Sequence, residues 1–310
     1  MLTIFSTAPF RVLLSAVFAC LLLSRPVAGG EMSADSLPRT VAGLKGLLGD
    51  GYLYIDKGDL LVVSDLDPAK VLPLVSGDFL MNMQILRRDF FTRSAQPAGG
   101  KSLPMLTVFL FKNRESYIAG LRKIGINVAE EDETNRGAVR DGYYYGGKGR
   151  NFILINYRDN YAQGLATYTH EMSHALMRRE FPDAPAWINE GIATMVGHCR
   201  LMDGRLQYYY NGSVGSTKSA LEAGNLPTVS ELLTITNREY ADAEGHGRYY
   251  DAGEQFCRFL HSRNQLLPVY RALRDNGDGR ESPEQILRRV TGLGLNGLEK
   301  AWHTWLSRER

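Results

Sequence analysis

The sequence predicts an α+β fold, with a small mixed sheet in the N-terminal half and a mostly helical C-terminal half. Two patterns carry that expectation. Before residue 160 the apolar residues fall in short runs bounded by Gly, Pro, Asn and Asp, which is the length and punctuation of strands. After residue 160 they spread over longer stretches with helical spacing, beginning with Leu165–Arg179. A chain of 310 residues, 44% of them hydrophobic, can bury one large core or two small ones.

The first segment, residues 1–29, reads as a secretory signal. Arg11 precedes the apolar run Val12–Leu23, and small residues follow at Ala28, Gly29 and Gly30. The run is shorter than the ~20 residues a membrane span needs, so cleavage near Ala28–Gly30 is expected, with an uncleaved anchor as the alternative. The mature chain would then be secreted or periplasmic, with no stable membrane span. Residues 30–50 show little periodicity and read as a leader, leaving 51–310 as one domain.

Within it, Tyr52–Ile55 and Leu60–Val63 flank Asp56-Lys57-Gly58-Asp59 and predict a hairpin. Asp67 followed by Pro68 is a helix start, extending to about Phe91. Gln96–Ser102 is a loop, Thr107–Phe111 a core strand, and Asn113 caps a helix through Leu121. After the loop Ala129–Arg140 come strands Gly142–Tyr145 and Asn151–Asn156, joined by a glycine turn. Leu206–Tyr210 with Asn211, Gly212 and Ser213 suggests a strand or flap. Ser230–Leu233 and Gly247–Leu260 read as helices, and the tail from Pro283 as amphipathic helix around Gly292–Gly297.

One constellation carries chemistry: His170-Glu171-Met172-Ser173-His174, then Trp187-Ile188-Asn189-Glu190-Gly191. Residues four apart on a helix share a face, about 6 Å apart along the axis, so His170 and His174 present neighbouring nitrogens to one metal ion. Glu171 sits beside that face, within reach of a metal-bound water. The third ligand is constrained by spacing. A metzincin site would have Gly at 177 and His at 180, where this chain has Met177 and Glu180. Glu180 is itself rotated away from the histidines. Phe181–Pro185 cannot continue a helix, because Pro lacks the amide donor. A second helix starting near Pro185–Trp187 brings Glu190 back toward them.

These residues resemble the gluzincin peptidases, and most closely the peptidase MA-like family, whose hallmark is HExxH followed by Trp-x-x-Glu-Gly. The resemblance implies a zincin-like domain and a zinc metallopeptidase acting on peptide or protein substrates. Zn²⁺ would be held by His170, His174 and Glu190, with Glu171 as general base. It also implies that the last strand before the metal helix lines the substrate cleft with an exposed edge. Related families place Tyr residues near the start of a later helix, which makes Tyr249 and Tyr250 candidate donors to an oxyanion, with core packing as the alternative. The chain departs from the pattern at Thr194, where many gluzincins carry an acidic residue that orients a histidine; a hydroxyl holds an imidazole less strongly.

The formal charge of +2 and the lack of a basic run exclude nucleic acid as an expected partner. Cys199 and Cys257 are the two cysteines left after the signal, either one disulfide or two buried thiols. His198, His246, His261 and His303 read as ordinary solvated histidines. A cell-wall amide as substrate, or an inactive zincin-like binding protein, are the competing functional expectations.

Overall fold

Gly58 makes the first turn: it adopts φ +80°, and its amide donates to Asp56 Oδ1 at 2.8 Å. Glycine takes that left-handed geometry without steric cost. The turn joins β1 (Leu53–Asp56) to β2 (Leu60–Ser64) as the expected antiparallel hairpin. The computed structural model describes residues 37–38, 40–93, 106–126, 141–147, 150–202, 204–208, 212–236, 239–240, 246–277 and 279–309. The signal segment 1–29, the loops Gln96–Ser102 and Ala129–Arg140, the turn residues Lys148 and Gly149, and Tyr209–Asn211 lie outside them.

The hairpin belongs to a five-stranded mixed sheet. β3 (Leu106–Phe111) runs parallel to β2, and β5 (Arg150–Asn156) parallel to β3. β4 (Gly142–Gly147) is antiparallel to β5 and closes the order β1-β2-β3-β5-β4. The last strand before the metal helix is therefore internal, and the exposed edge expected of it belongs to β4. Chain order could not reveal this, because β5 inserts between β3 and the strand that precedes it.

Period-two alternation divides the central strands between two cores. Leu60, Val62, Val108, Leu110, Ile153 and Ile155 face the larger one; Leu61, Val63, Phe109, Phe111, Phe152 and Leu154 face the smaller. Strands apolar on both faces must be covered on both. Helix α1 (Val41–Leu48) helps cover the smaller core with Leu44 and Leu48. The stretch expected as a leader thus carries a packed helix, capped where Thr40 Oγ1 accepts from the Gly43 amide at 3.1 Å. Across the larger core lies α2, a helical rod of three pieces: Pro68–Pro73, a wider π-helical stretch Leu74–Phe79, and Leu80–Asp89. Asp67 caps it as expected. The π stretch follows Pro73, which has no amide to continue the ladder. It ends at Phe79, whose ring stacks on Tyr168 with centroids 3.6 Å apart. Helix α3 (Arg114–Lys123) has its Asn113 capping box.

Two helices follow the sheet, α4 (Tyr161–Glu180) and α5 (Ala186–Gly197), separated by the Pro-containing turn. α4 starts earlier than expected, because Asn160 Oδ1 accepts from the Gln163 amide at 3.2 Å and caps it there. The C-terminal half is mostly helical. β6 (Cys199–Met202) pairs with β7 (Arg205–Tyr208), so the expected strand has a partner of its own. Gly212–Glu222 is helix α6, where Gly212 and Ser213 were expected to belong to a flap. Then come α7 (Val229–Thr234), α8 (His246–Ser262), α9 (Leu266–Asp275), α10 (Pro283–Thr291) and α11 (Leu295–Arg308). The expected tail helix is two helices, parted at Gly292 in the left-handed conformation. No described helix is long and apolar enough to cross a membrane.

Candidate metal centre

Helix α5 returns along α4. Asn189, near its start, reaches His174; Gly197, at its end, lies against Ala166 and His170. That path brings Glu190 between the two turns that carry the histidines. His170 Nε2 and His174 Nε2 stand 3.1 Å apart, and Glu190 Oε2 lies 3.6 Å from the first and 3.5 Å from the second. All three side chains are buried.

This triangle has the dimensions of a metal site. Ligand atoms each ~2.0–2.1 Å from a tetrahedral ion stand about 3.3 Å from one another, and the three separations here bracket that value. Glu190 Oε2 is buried and makes no hydrogen bond among the described residues, which an acceptor aimed at a cation explains. A buried His-His-Glu group can hold a metal ion, and the donor set of two imidazoles and one carboxylate suits zinc among the transition metals.

The electrostatics of the protein alone also favour a cation at this point. Burial pushes His170 down to about 4 despite its contact with Glu190, so its imidazole is neutral. Burial pulls His174 down too, but the carboxylates of Glu190 and Glu171 outweigh it and raise the group to about 9. Burial would raise Glu190; His174 and His170 instead hold it down to about 2. One proton therefore serves the two Nε2 atoms, and an arriving ion must displace it.

His174 Nδ1 lies 3.0 Å from Asn189 Oδ1. An amide oxygen only accepts, so Nδ1 carries the proton and Nε2 is directed at the triangle. Thr194, where an orienting group was expected, does not fill that role: its Oγ1 is buried without a hydrogen bond among the described residues. Asn189 was not singled out from the sequence, although it stands inside the Trp-x-x-Glu-Gly motif, next to the ligand.

Glu171 is buried beside the triangle, and β4 rests on it. A Cβ on Gly142 would collide with Thr167 and come within 3.4 Å of Glu171 Cγ. Gly142 thus lets the edge strand pass directly over the helix face that bears Glu171. The glycine that follows Glu190 has a similar task. A Cβ on Gly191 would stand 2.7 Å from both Gly253 O and Cys257 Sγ, so α5 and α8 cross backbone to backbone.

Tyr249 and Tyr250 sit in the first turns of α8. Tyr250 is buried edge-on against Tyr240, ring centroids 4.8 Å apart, in a small core with Ala186, the first residue of α5. Tyr249 is half-buried, with the Arg248 guanidinium 5.1 Å from its ring and its carbonyl accepting from Tyr240 Oη at 2.7 Å. Both therefore have packing roles at the Glu190 helix. Cys199 and Cys257 are buried free thiols, which settles the alternative against a disulfide. His198 is not a solvated histidine: its Nδ1 lies 3.1 Å from Glu254 Oε1. His261 is packed between Phe90 and Tyr208, and the His246 side chain lies outside the described residues. No known family profile matches this chain, and neither does any curated protein.

Proposed function

We infer that this chain is an exported zinc-dependent peptidase of the zincin type, hydrolysing peptide bonds with a metal-activated water. The observation that carries the reading is the convergence of His170, His174 and Glu190 at 3.1–3.6 Å with Glu171 buried beside them. Zn²⁺ held by these three residues would supply a Lewis acid that polarises a carbonyl and brings the pKa of a water toward ~7.

The chain's own residues do the rest. Asn189 fixes the tautomer and plane of His174. Glu171 takes the proton of the attacking water and returns it to the leaving amine. The outer edge of β4, passing over Glu171, offers its backbone groups to an extended peptide. Tyr249 and Tyr250 are the candidate donors to the developing oxyanion.

The test is hydrolysis of casein and of a peptide library by the purified protein, its chelated form, the zinc-restored form and Glu171→Gln. Activity is expected to vanish on chelation, return with zinc, and fall by roughly 10²–10⁴ in the variant. Activity that survives both treatments overturns the reading. A zinc-loaded wild type that turns over neither substrate makes the protein a binding module instead.

A further inference from the structure

The fold buries a second imidazole–carboxylate pair that the proposed reaction does not use. Glu254, in the middle of α8, is wholly buried. Its Oε1 faces His198 Nδ1 at 3.1 Å, and its Oε2 accepts from Ser213 Oγ at 2.7 Å. Ser213 Oγ in turn accepts from Gln255 Nε2 at 2.7 Å. Three elements thus meet at one carboxylate: the end of α5, the start of α6 and the middle of α8. A buried carboxylate is costly unless its charge is matched. His198 supplies the match: burial disfavours its imidazolium, but the hydrogen bond and charge of Glu254 overcome that and raise its pKa.

The place of the pair gives it a consequence for the metal centre. His198 directly follows Gly197, and a Cβ on Gly197 would stand 3.3 Å from His170 Cβ and 3.2 Å from Ala166 O. The last turn of α5 therefore lies on the first candidate ligand with no side chain between them. Near its start, the same helix is seated against α8 at Gly191, next to Glu190. Helix α5 is held at two points, one beside Glu190 and the other beside His170.

We propose that His198 and Glu254 are a positioning pair for the metal centre, pinning the last turn of α5 to α8 and so fixing His170 relative to Glu190. The inference rests on the metal-binding reading above. When the pin is removed, the end of α5 is free to lift, and His170 and His174 no longer hold their nitrogens on one point. Removing a group that orients a metal ligand costs roughly ten- to hundredfold in affinity.

The test is Co²⁺ titration of the full metal-free chain, followed by affinity and by the visible spectrum, which reports ligand geometry. His198→Ala is expected to keep its far-UV circular dichroism, bind Co²⁺ roughly ten- to hundredfold more weakly and shift the visible bands. His198→Asn, whose amide can still donate to Glu254, is expected to recover most of both. A folded His198→Ala with wild-type affinity and spectrum overturns the proposal. If that variant does not fold, Glu254→Gln serves, keeping the shape and losing only the charge; it is expected to bind more weakly, and unchanged binding overturns the proposal. A wild type that takes up no Co²⁺ overturns the metal reading itself, a separate outcome from a variant that binds as well as wild type.

Discussion

Asn189 donates no ligand, yet it decides which nitrogen of His174 faces the metal. Asn189→Ala should weaken metal binding roughly ten- to hundredfold, and Asn189→Asp should strengthen it, because a carboxylate raises the basicity of the imidazole it holds; isothermal titration with Zn²⁺ reads both. Affinity should also depend on pH in a stated direction. His174 is raised to about 9 by Glu190 and Glu171 against the opposing effect of burial, so at lower pH the ion must expel a proton. Affinity should therefore climb about tenfold per pH unit toward that value and level off above it. A flat profile from pH 6 to 8 would contradict the proton bookkeeping of the site. At this scale the sequence was informative where chemistry is local. The spacing of His170, Glu171 and His174 is a property of one helix, and the Pro break made Glu190 the natural third ligand. Asn189 with His174, or His198 with Glu254, are meetings between elements that no spacing along the chain records.

At the scale of elements, the metal site depends on how three helices seat. The Gly191 contact with Gly253 and Cys257 leaves no room for a methyl group. Gly191→Ala should cost about 1–3 kcal/mol from overpacking and weaken metal binding, because Glu190 rides on the same turn; urea melts of the metal-free protein separate the two effects. The far end of α4 is tied down by charge. Glu180 accepts from Arg274 Nη1 at 3.1 Å and from Tyr270 Oη at 2.8 Å, both partners of the ion pair being buried. Arg274→Ala strands a buried carboxylate and should destabilise the fold by about 3 kcal/mol, measured by the same melts. The hairpin, the Asp67-capped rod, β3, α3 and α4 were legible because caps, turn glycines and apolar periods mark them. Helix α6 was not: Gly212, Ser213, Gly215, Ser216 and Thr217 are poor helix formers. Tertiary packing holds it, as the Ser213–Glu254 bond illustrates.

For the whole molecule, one sheet serves two cores, and the larger core runs without interruption from α2 through α4 and α5 to α11. The fold class followed from the sequence, since short apolar runs and long helical periods occupy different halves of the chain. The strand order did not, because pairing partners are chosen across the fold. An ion joining α4 to α5 ties together helices of that larger core, so binding should stabilise the whole molecule: by about 4 kcal/mol when free metal is a thousandfold above its Kd, seen as a chelator-reversible rise in Tm. The most direct measurement of the central claim is metal stoichiometry by mass spectrometry of wild type, His174→Ala, Glu190→Ala and Glu171→Gln, purified side by side. The account expects one zinc per chain in wild type and in Glu171→Gln, and almost none in the other two; a wild type without zinc, or equal zinc in all four, would contradict it.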